Sequence, residues 1–153
     1  MSREEQVAAL LLADSALLAV LTGGIYVYGE LYPEGLTRET TPAAFDSSNG
    51  GFLLPCAIVK QRGEIPSLQV DDPAKQVMSA NQVVEIWLYQ DATYSAIDAA
   101  KPLIYHLLQG KNFDDSFELY LAMTVSRQRD SGALQDASME RMDFAIPFLL
   151  GIE

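Results

Sequence analysis

Two reactive groups occur once each in this chain, His106 and Cys56, and they bound the chemistry open to it. A histidine works as a general base when a carboxylate or a nucleophile lies within reach. His106 has no such partner by sequence spacing, so a surface or structural role is expected. Cys56 follows Pro55 in an apolar stretch, with no neighbouring basic group to favour the thiolate, and reads as buried and inert. The other candidates are carboxylates: Asp71-Asp72, Asp114-Asp115 and the run from Asp136 through Glu140. Paired acids can hold calcium, but no Asp-x-Asp-x-Asp-Gly loop is present and both pairs adjoin turn residues. Solvated loop charge is their expected role. Arg127 and Arg129 flank Gln128 and suit either a partner's acidic surface or local charge balance. No Gly-x-Ser-x-Gly elbow, phosphate loop, dinucleotide fingerprint or His-Glu-x-x-His helix occurs. No catalytic residue, cofactor or metal site is expected.

The elements around these groups follow from hydrophobic spacing. At about 100° per residue, Val7, Leu10, Leu11, Leu17, Leu18 and Leu21 share one helical face, with Asp14 in its middle. A lone carboxylate is costly to bury there, so the helix is expected to break, with Asp14 as N-cap of a second short helix. Gly23-Gly24 ends that helix and Ile25-Tyr26 leaves extended. Residues 26–51 are turn-rich yet carry Tyr26, Tyr28, Leu31, Tyr32, Leu36 and Phe45. These are too many apolar groups for a solvated tether, and a loop or short hairpin docked on a partner is expected. A strand is expected over 54–61, then loops at Gly63–Pro66 and Asp71–Pro73. Residues 76–89 form the strongest strand, apolar on both faces and therefore central.

Asp91 is placed to cap a helix over 92–109, which Pro102 should kink and Gly110 should end. Residues 117–127 alternate, with Phe117, Leu119, Leu121, Met123 and Val125 on one face. A loop at Asp130-Ser131-Gly132 leads to a last strand over 138–149, with Met142, Phe144, Ile146 and Phe148 inward. Pro147 puts that strand, or its end, at an edge. The order α-β-β-α-β-β predicts an α+β fold: four mainly antiparallel strands, two helices packed on one face, and a long loop or hairpin after the first helix.

With 153 residues, 49% hydrophobic and 20% charged, the chain reads as one domain, residues 1–153, with a sizeable core. No apolar run approaches the roughly 20 residues that span a bilayer. The opening Met1–Gln6 carries two acids and one base, so no secretory leader is expected. A single cysteine allows no internal disulfide and fits synthesis in a reducing cytoplasm. The net charge of −11 repels phosphate backbones and argues against direct DNA binding.

The opening and the layout resemble the tail-terminator proteins of long-tailed bacteriophages, the group of the lambda minor tail protein U. That family begins with a helix of pattern Leu-x-Ala-Asp-x-x-Leu-x-x-Leu and a following Gly-(Arg)-Ile-Tyr step. Here Leu11 and Leu12 precede Ala13-Asp14, and Leu17, Val20, Leu21, Gly24, Ile25 and Tyr26 follow. Residues 83–89 resemble the family's apolar strand, and Arg141-Met142-Asp143-Phe144 its late strand. The connection over 26–51 is longer and more apolar than the family's.

The resemblance implies a hexameric ring that caps the tail tube, stops its elongation and offers the surface that joins a filled head. DNA would pass through the lumen without specific binding. The implied partners are further copies of the chain, the tail-tube protein and a head–tail connector or neck protein, and the implied location is the tail–neck junction of a virion, with no membrane contact. Tyr26, Tyr28, Leu31, Tyr32, Phe45, Arg127 and Arg129 are the expected subunit or partner contacts. A neck adaptor or stopper is the alternative reading, and a small intracellular enzyme or binding module a third.

Overall fold

The computed structural model describes residues 2–32, 34–48, 51–69, 77–114, 116–129 and 137–151, with the backbone alone at 63–69, 77–80 and 148–151. The chain runs α1 (Arg3–Leu12), α2 (Ser15–Val20), β1 (Ile25–Val27), α3 (Tyr28–Leu31), a 3-10 turn (Pro42–Ala44), β2 (Cys56–Gln69), β3 (Val77–Gln90), α4 (Ser95–Leu108), β4 (Tyr120–Arg129) and β5 (Ser138–Gly151). The strands form one sheet in the order β1-β2-β3-β5-β4. All neighbours are antiparallel except β1, which runs parallel to β2 with Ile25 opposite Ala57 and Val27 opposite Val59. The fold is α+β, but the sheet has five strands among the described residues where four are expected. The added strand is three residues long, too short for any alternation to show.

The N-terminal helix breaks at Asp14. Ala13 ends α1, and Asp14 in extended conformation opens α2, its carboxylate accepting the Leu17 amide at 3.1 Å. Ser2 caps α1 in the same manner, accepting the Glu5 amide at 3.2 Å while the Glu5 carboxylate accepts the Ser2 amide. Those two backbone and side-chain bonds to Ser2 hold the Glu5 carboxyl below its ordinary range. Gly24 then takes φ +99°, and a Cβ on Gly23 would lie 3.0 Å from the carbonyl oxygens of both Leu54 and Pro55. The glycine pair is needed for a left-handed turn and for a close backbone approach.

One face of the sheet carries α1, α2 and α4. Val7, Leu11, Leu17, Leu21, Ile97, Ala100, Ile104 and Leu108 pack onto Ala57, Val59, Val84, Ile86, Leu88, Met142, Phe144 and Ile146. Burying a side chain of this size contributes about 1.5–3 kcal/mol, so this layer dominates the stability. Positions 82, 84, 86, 88 and 90 of β3 share that face, apolar in the middle with a glutamine at each end. Gln82 accepts Arg3 Nε at 2.8 Å, and Gln90 accepts the amides of Ala96 and Ile97 at 2.8 and 3.2 Å. Each glutamine thus docks the start of one helix. Asp91 is not the cap of α4: the chain turns at 91–92, with Ala92 at φ +61°, and the helix begins at Ser95 rather than 92. Pro102 lies inside it, exposed.

The opposite face is covered by residues 28–32, 34–48 and 51–54. Leu31, Leu36, Ala44 and Leu53 bury against Cys56, Ile58, Tyr89 and Ala137, with Tyr26, Tyr28, Phe45, Trp87 and Met139 partly buried around them. This lobe contains α3, the 3-10 turn and an isolated bridge between Phe45 and Leu53. The three helices on one face are therefore balanced on the other by a mostly irregular layer that holds α3 and the 3-10 turn.

Two further expectations shift, and a third is narrowed to one of its two alternatives. Residues 63–66 lie inside β2, not in a loop, and the strand absorbs them through register shifts between Arg62 and Ile65 and between Pro66 and Leu68. In β4, Leu121 pairs with Phe144 but Met123 with Asp143, so a bulge at Ala122 turns Met123 and Val125 to the face opposite Leu121. β5 is internal, between β3 and β4. Pro147 lies beyond Ala145, the last residue paired to β4, so it is the strand's end that leaves the ladder, its carbonyl accepting the Phe117 amide at 2.8 Å. The expected loops at Asp71–Pro73 and Asp130–Gly132 lie outside the described residues.

Candidate assembly surface

The residues singled out for partner contact fall in two places. Tyr26, Tyr28, Leu31, Tyr32 and Phe45 belong to the lobe and its approach. Leu31 is buried in the second core, while Tyr26, Tyr28 and Phe45 are half-buried against it. Tyr26 donates its hydroxyl to the Gly23 carbonyl at 2.7 Å, and burial, with Cys56 nearby, raises its pKa. Lys60 stands over the Tyr28 ring at 4.6 Å and Arg38 over Phe45 at 5.4 Å. Of these five residues Tyr32 is the exposed one, joined on the lobe by exposed Phe52. Much of the apolar surplus in 26–51 therefore covers the chain's own sheet.

Arg127 and Arg129 lie within β4, near its end. Arg127 sits at a second bulge with φ +53°, a conformation that costs about 1–2 kcal/mol for a residue with a Cβ. Three contacts hold it there. Its guanidinium bonds Asp98 at 2.9 Å, its amide bonds the Glu140 carboxylate at 3.2 Å, and it stacks 4.4 Å over Tyr94. The hydrogen bond to Asp98 raises the arginine's pKa further. Arg129 lies 5.8 Å over the same ring and donates to the Ala92 carbonyl at 3.4 Å.

β4 is the outermost strand on its side and is exposed over most of its length. Its edge is capped at two points: the Leu121 amide donates to Gln109 Oε1 at 2.9 Å, and the Gln128 carbonyl accepts Tyr94 Oη at 2.7 Å. Between them run exposed Met123 and the uncharged segment Tyr120–Val125, with exposed Phe117 just before it. The other edge of the sheet is closed differently. Beyond Val59 the Gln61 amide would face solvent, and instead it donates to Glu4 Oε1 at 3.1 Å. The second oxygen of that carboxylate accepts the Gly29 amide of α3 at 3.2 Å.

Two ion networks were not foreseen. Glu140, expected among solvated loop acids, is buried on the helix face, its Oε2 2.9 Å from Lys101 Nζ. On the lobe face Glu85 and Asp143 stand directly opposite across β3 and β5, both buried. Like charges so placed repel, and Arg62 and Arg141 neutralise them: each guanidinium lies 2.9 Å from Asp143 and within 3.4 and 3.9 Å of Glu85. Arg141 also lies 5.2 Å over the Trp87 ring. Nothing in the sequence spacing brings Arg62 to residue 143.

The groups with reactive potential are scattered. His106 is exposed on α4, its ring edge-on to Tyr105 at 5.9 Å. Cys56 is fully buried, and burial pushes its thiol pKa up to about 12. Asp114 is exposed, whereas Asp71, Asp72, Asp115 and Asp136 lie outside the described residues. Among the described residues no group of three or more His, Cys, Asp or Glu side chains could hold a metal ion. Nor is any of their helices long and apolar enough to cross a membrane.

What the chain does offer is two different outward surfaces on a rigid sheet: an exposed edge with flanking aromatics and arginines, and an acidic lobe bearing Tyr32 and Phe52. The fold is shared with a virion protein. A chain from the virion of a native gene transfer agent particle superposes with a TM-score of 0.58, covering 97% of this chain and 96% of that one at 16% sequence identity. At that identity the likeness is one of fold. No family model matches the chain, and no curated protein sequence does.

Proposed function

We propose that this protein is a structural component of a tailed-phage-like virion, and within it a ring-forming tail terminator. The observation that carries the reading is the near end-to-end likeness in fold to a protein of a gene transfer agent virion. The helix–Asp–helix–Gly-Gly-Ile-Tyr opening, which resembles the tail-terminator family, supports the finer assignment. In this role the chain assembles as a closed, hexameric ring on the last ring of tail-tube protein. It covers the growing end with a surface that lacks a further tube site, and it presents the opposite face to the head–tail connector. A net charge of −11 suits a channel through which DNA slides without being held. The work is done by surfaces and needs no catalytic group, cofactor or metal.

The test is deletion of the gene in its producing strain, followed by electron microscopy of the particles. Tails that overshoot their normal length, beside heads left unjoined, are the expected result. Tails of normal length joined to heads refute the terminator role. Normal-length tails left unjoined reassign the chain to a neck adaptor or stopper.

A further inference from the structure

Seven large apolar side chains are prominently exposed among the described residues, and five of them fall at two separate places. Phe117 (54%), Tyr120 (42%) and Met123 (45%) lie along or just before the β4 edge, while Tyr32 (69%) and Phe52 (56%) lie on the 28–54 lobe. Leu12 and Tyr105 belong to the helix layer and to neither patch. β4 ends the sheet on one side, and α3, which Tyr32 follows, packs beside β1 and β2 on the other. The patches also differ in charge. Residues 117–129 carry Arg127 and Arg129 against Glu118, with Arg127 bonded to Asp98, whereas residues 28–54 carry Glu30, Glu34, Glu39 and Asp46 against Arg38.

We propose that copies of this chain join head to tail, the β4 edge of one subunit (Phe117, Tyr120, Met123, Arg127, Arg129) receiving the 28–54 lobe of the next (Tyr32, Phe52 and the lobe acids). The inference rests on the ring reading above and names the surfaces that build the ring. Two unlike, complementary patches generate a heterologous contact, which forms a ring when its rotation closes; a two-fold dimer needs one patch that matches itself. A two-fold pairing of lobes would set the four acids against their own copies, whereas the β4 edge has no excess of acid to repel them. Continuation of the sheet from β4 onto the neighbour's opposite edge is blocked, because Glu4 already holds the Gln61 amide there and α3 stands beside it. The contact is therefore one of side chains, aromatic and apolar at its centre with charge at its margin.

Two exposed positions give the test, Tyr32 and Met123, neither of which supports the core. Chains carrying Tyr32→Cys, Met123→Cys or both are assembled alone and on purified tail tubes, then treated with a short bismaleimide; Cys56 is fully buried and does not compete. The expected result is no cross-link for either single variant, a dimer from a mixture of the two, and a ladder up to the full ring for the double variant. As a second arm, Tyr32→Asp and Met123→Asp should each abolish ring formation. Mixed, they should give dimers only, since each retains one intact surface. Efficient cross-linking of Met123→Cys by itself would show edge-to-edge two-fold pairing and overturn the proposal. Rings of normal size from either aspartate variant would overturn it while leaving the ring reading in place. Absence of any oligomer of the unsubstituted chain, with or without tubes, would overturn both.

Discussion

The ion pair between Lys101 and Glu140 ties α4 to β5, and its energetics can be tested by an ordering of three variants. Glu140 is almost fully buried, its side chain 2% exposed, while Lys101 is 28% exposed. Replacing Lys101 by Met leaves a carboxylate in a dry site whose nearest remaining cation is the half-exposed Arg127, 3.7 Å away. Orphaning one member of a fully buried pair costs about 3–5 kcal/mol, and partial solvation of the lysine reduces this to about 2–3 kcal/mol. Glu140→Gln should cost less, about 1 kcal/mol, because the amide oxygen still accepts the Arg127 amide and the ammonium can turn to water. The double variant Lys101→Met with Glu140→Gln should then be more stable than Lys101→Met alone. Urea unfolding read by circular dichroism and tryptophan fluorescence gives all three values, and a loss of 2–3 kcal/mol should appear as a fall in Tm of about 5–10 °C. Additive costs, with the double variant the least stable of the three, would refute the idea that the lysine is there to answer a buried charge.

Three further outcomes follow from single contacts. Asp14→Ala should cost about 1 kcal/mol in thermal unfolding, whereas Asp14→Asn or Asp14→Ser should cost little, because each still offers an oxygen to the Leu17 amide; equal damage from Asn and Ala would point to the charge instead. Gly23→Ala should cost about 1–3 kcal/mol, since its Cβ meets two backbone carbonyls at 3.0 Å, and a Tm within error of the parent would mean that the Leu54–Pro55 backbone yields freely. Cys56, whose thiol pKa is raised from 9.0 to about 12, keeps its proton in the fold after the unfolded chain has lost it. Stability should therefore fall between about pH 9 and 12, at up to about 1.4 kcal/mol per pH unit, and Cys56→Ala should flatten that decline; an unchanged alkaline limb in the variant would contradict this.

Much of the framework was legible because it rests on repetition. The alternation of β3 and β5 and the spacing of α1 and α4 place Val84, Ile86, Met142, Phe144, Ile97 and Ile104 in one core, where the structure has them. The lobe was half legible. Its apolar content demanded burial, and Cys56, Ile58, Trp87 and Tyr89 on the second sheet face were available to meet it within the chain. What periodicity could not show was anything decided by one residue against a distant one. A three-residue strand has no period, the bulge at Ala122 reverses the alternation after it, and the Gln90 cap comes from the preceding strand. Glu140 looked solvated because it closes the acid run that starts at Asp136, yet its strand position, opposite Leu88, faces the helices. The Ser2-x-x-Glu5 capping box was a visible signal.

The way Gln90 starts α4 has a consequence for how the molecule comes into being. The first amides of that helix are satisfied by a side chain of β3, and Pro102 deprives the helix of an internal hydrogen bond. Alone, such a segment is a poor helix former, so α4 should gain its order from the sheet rather than lend it. β3 in turn finds its second neighbour only once residues 138–151 have been made, since β5 is the strand beside it. Until then a strand apolar on both faces is open along one side. Translation thus runs well ahead of structure, and in the interval the nascent chain is most vulnerable to pairing with the wrong strand.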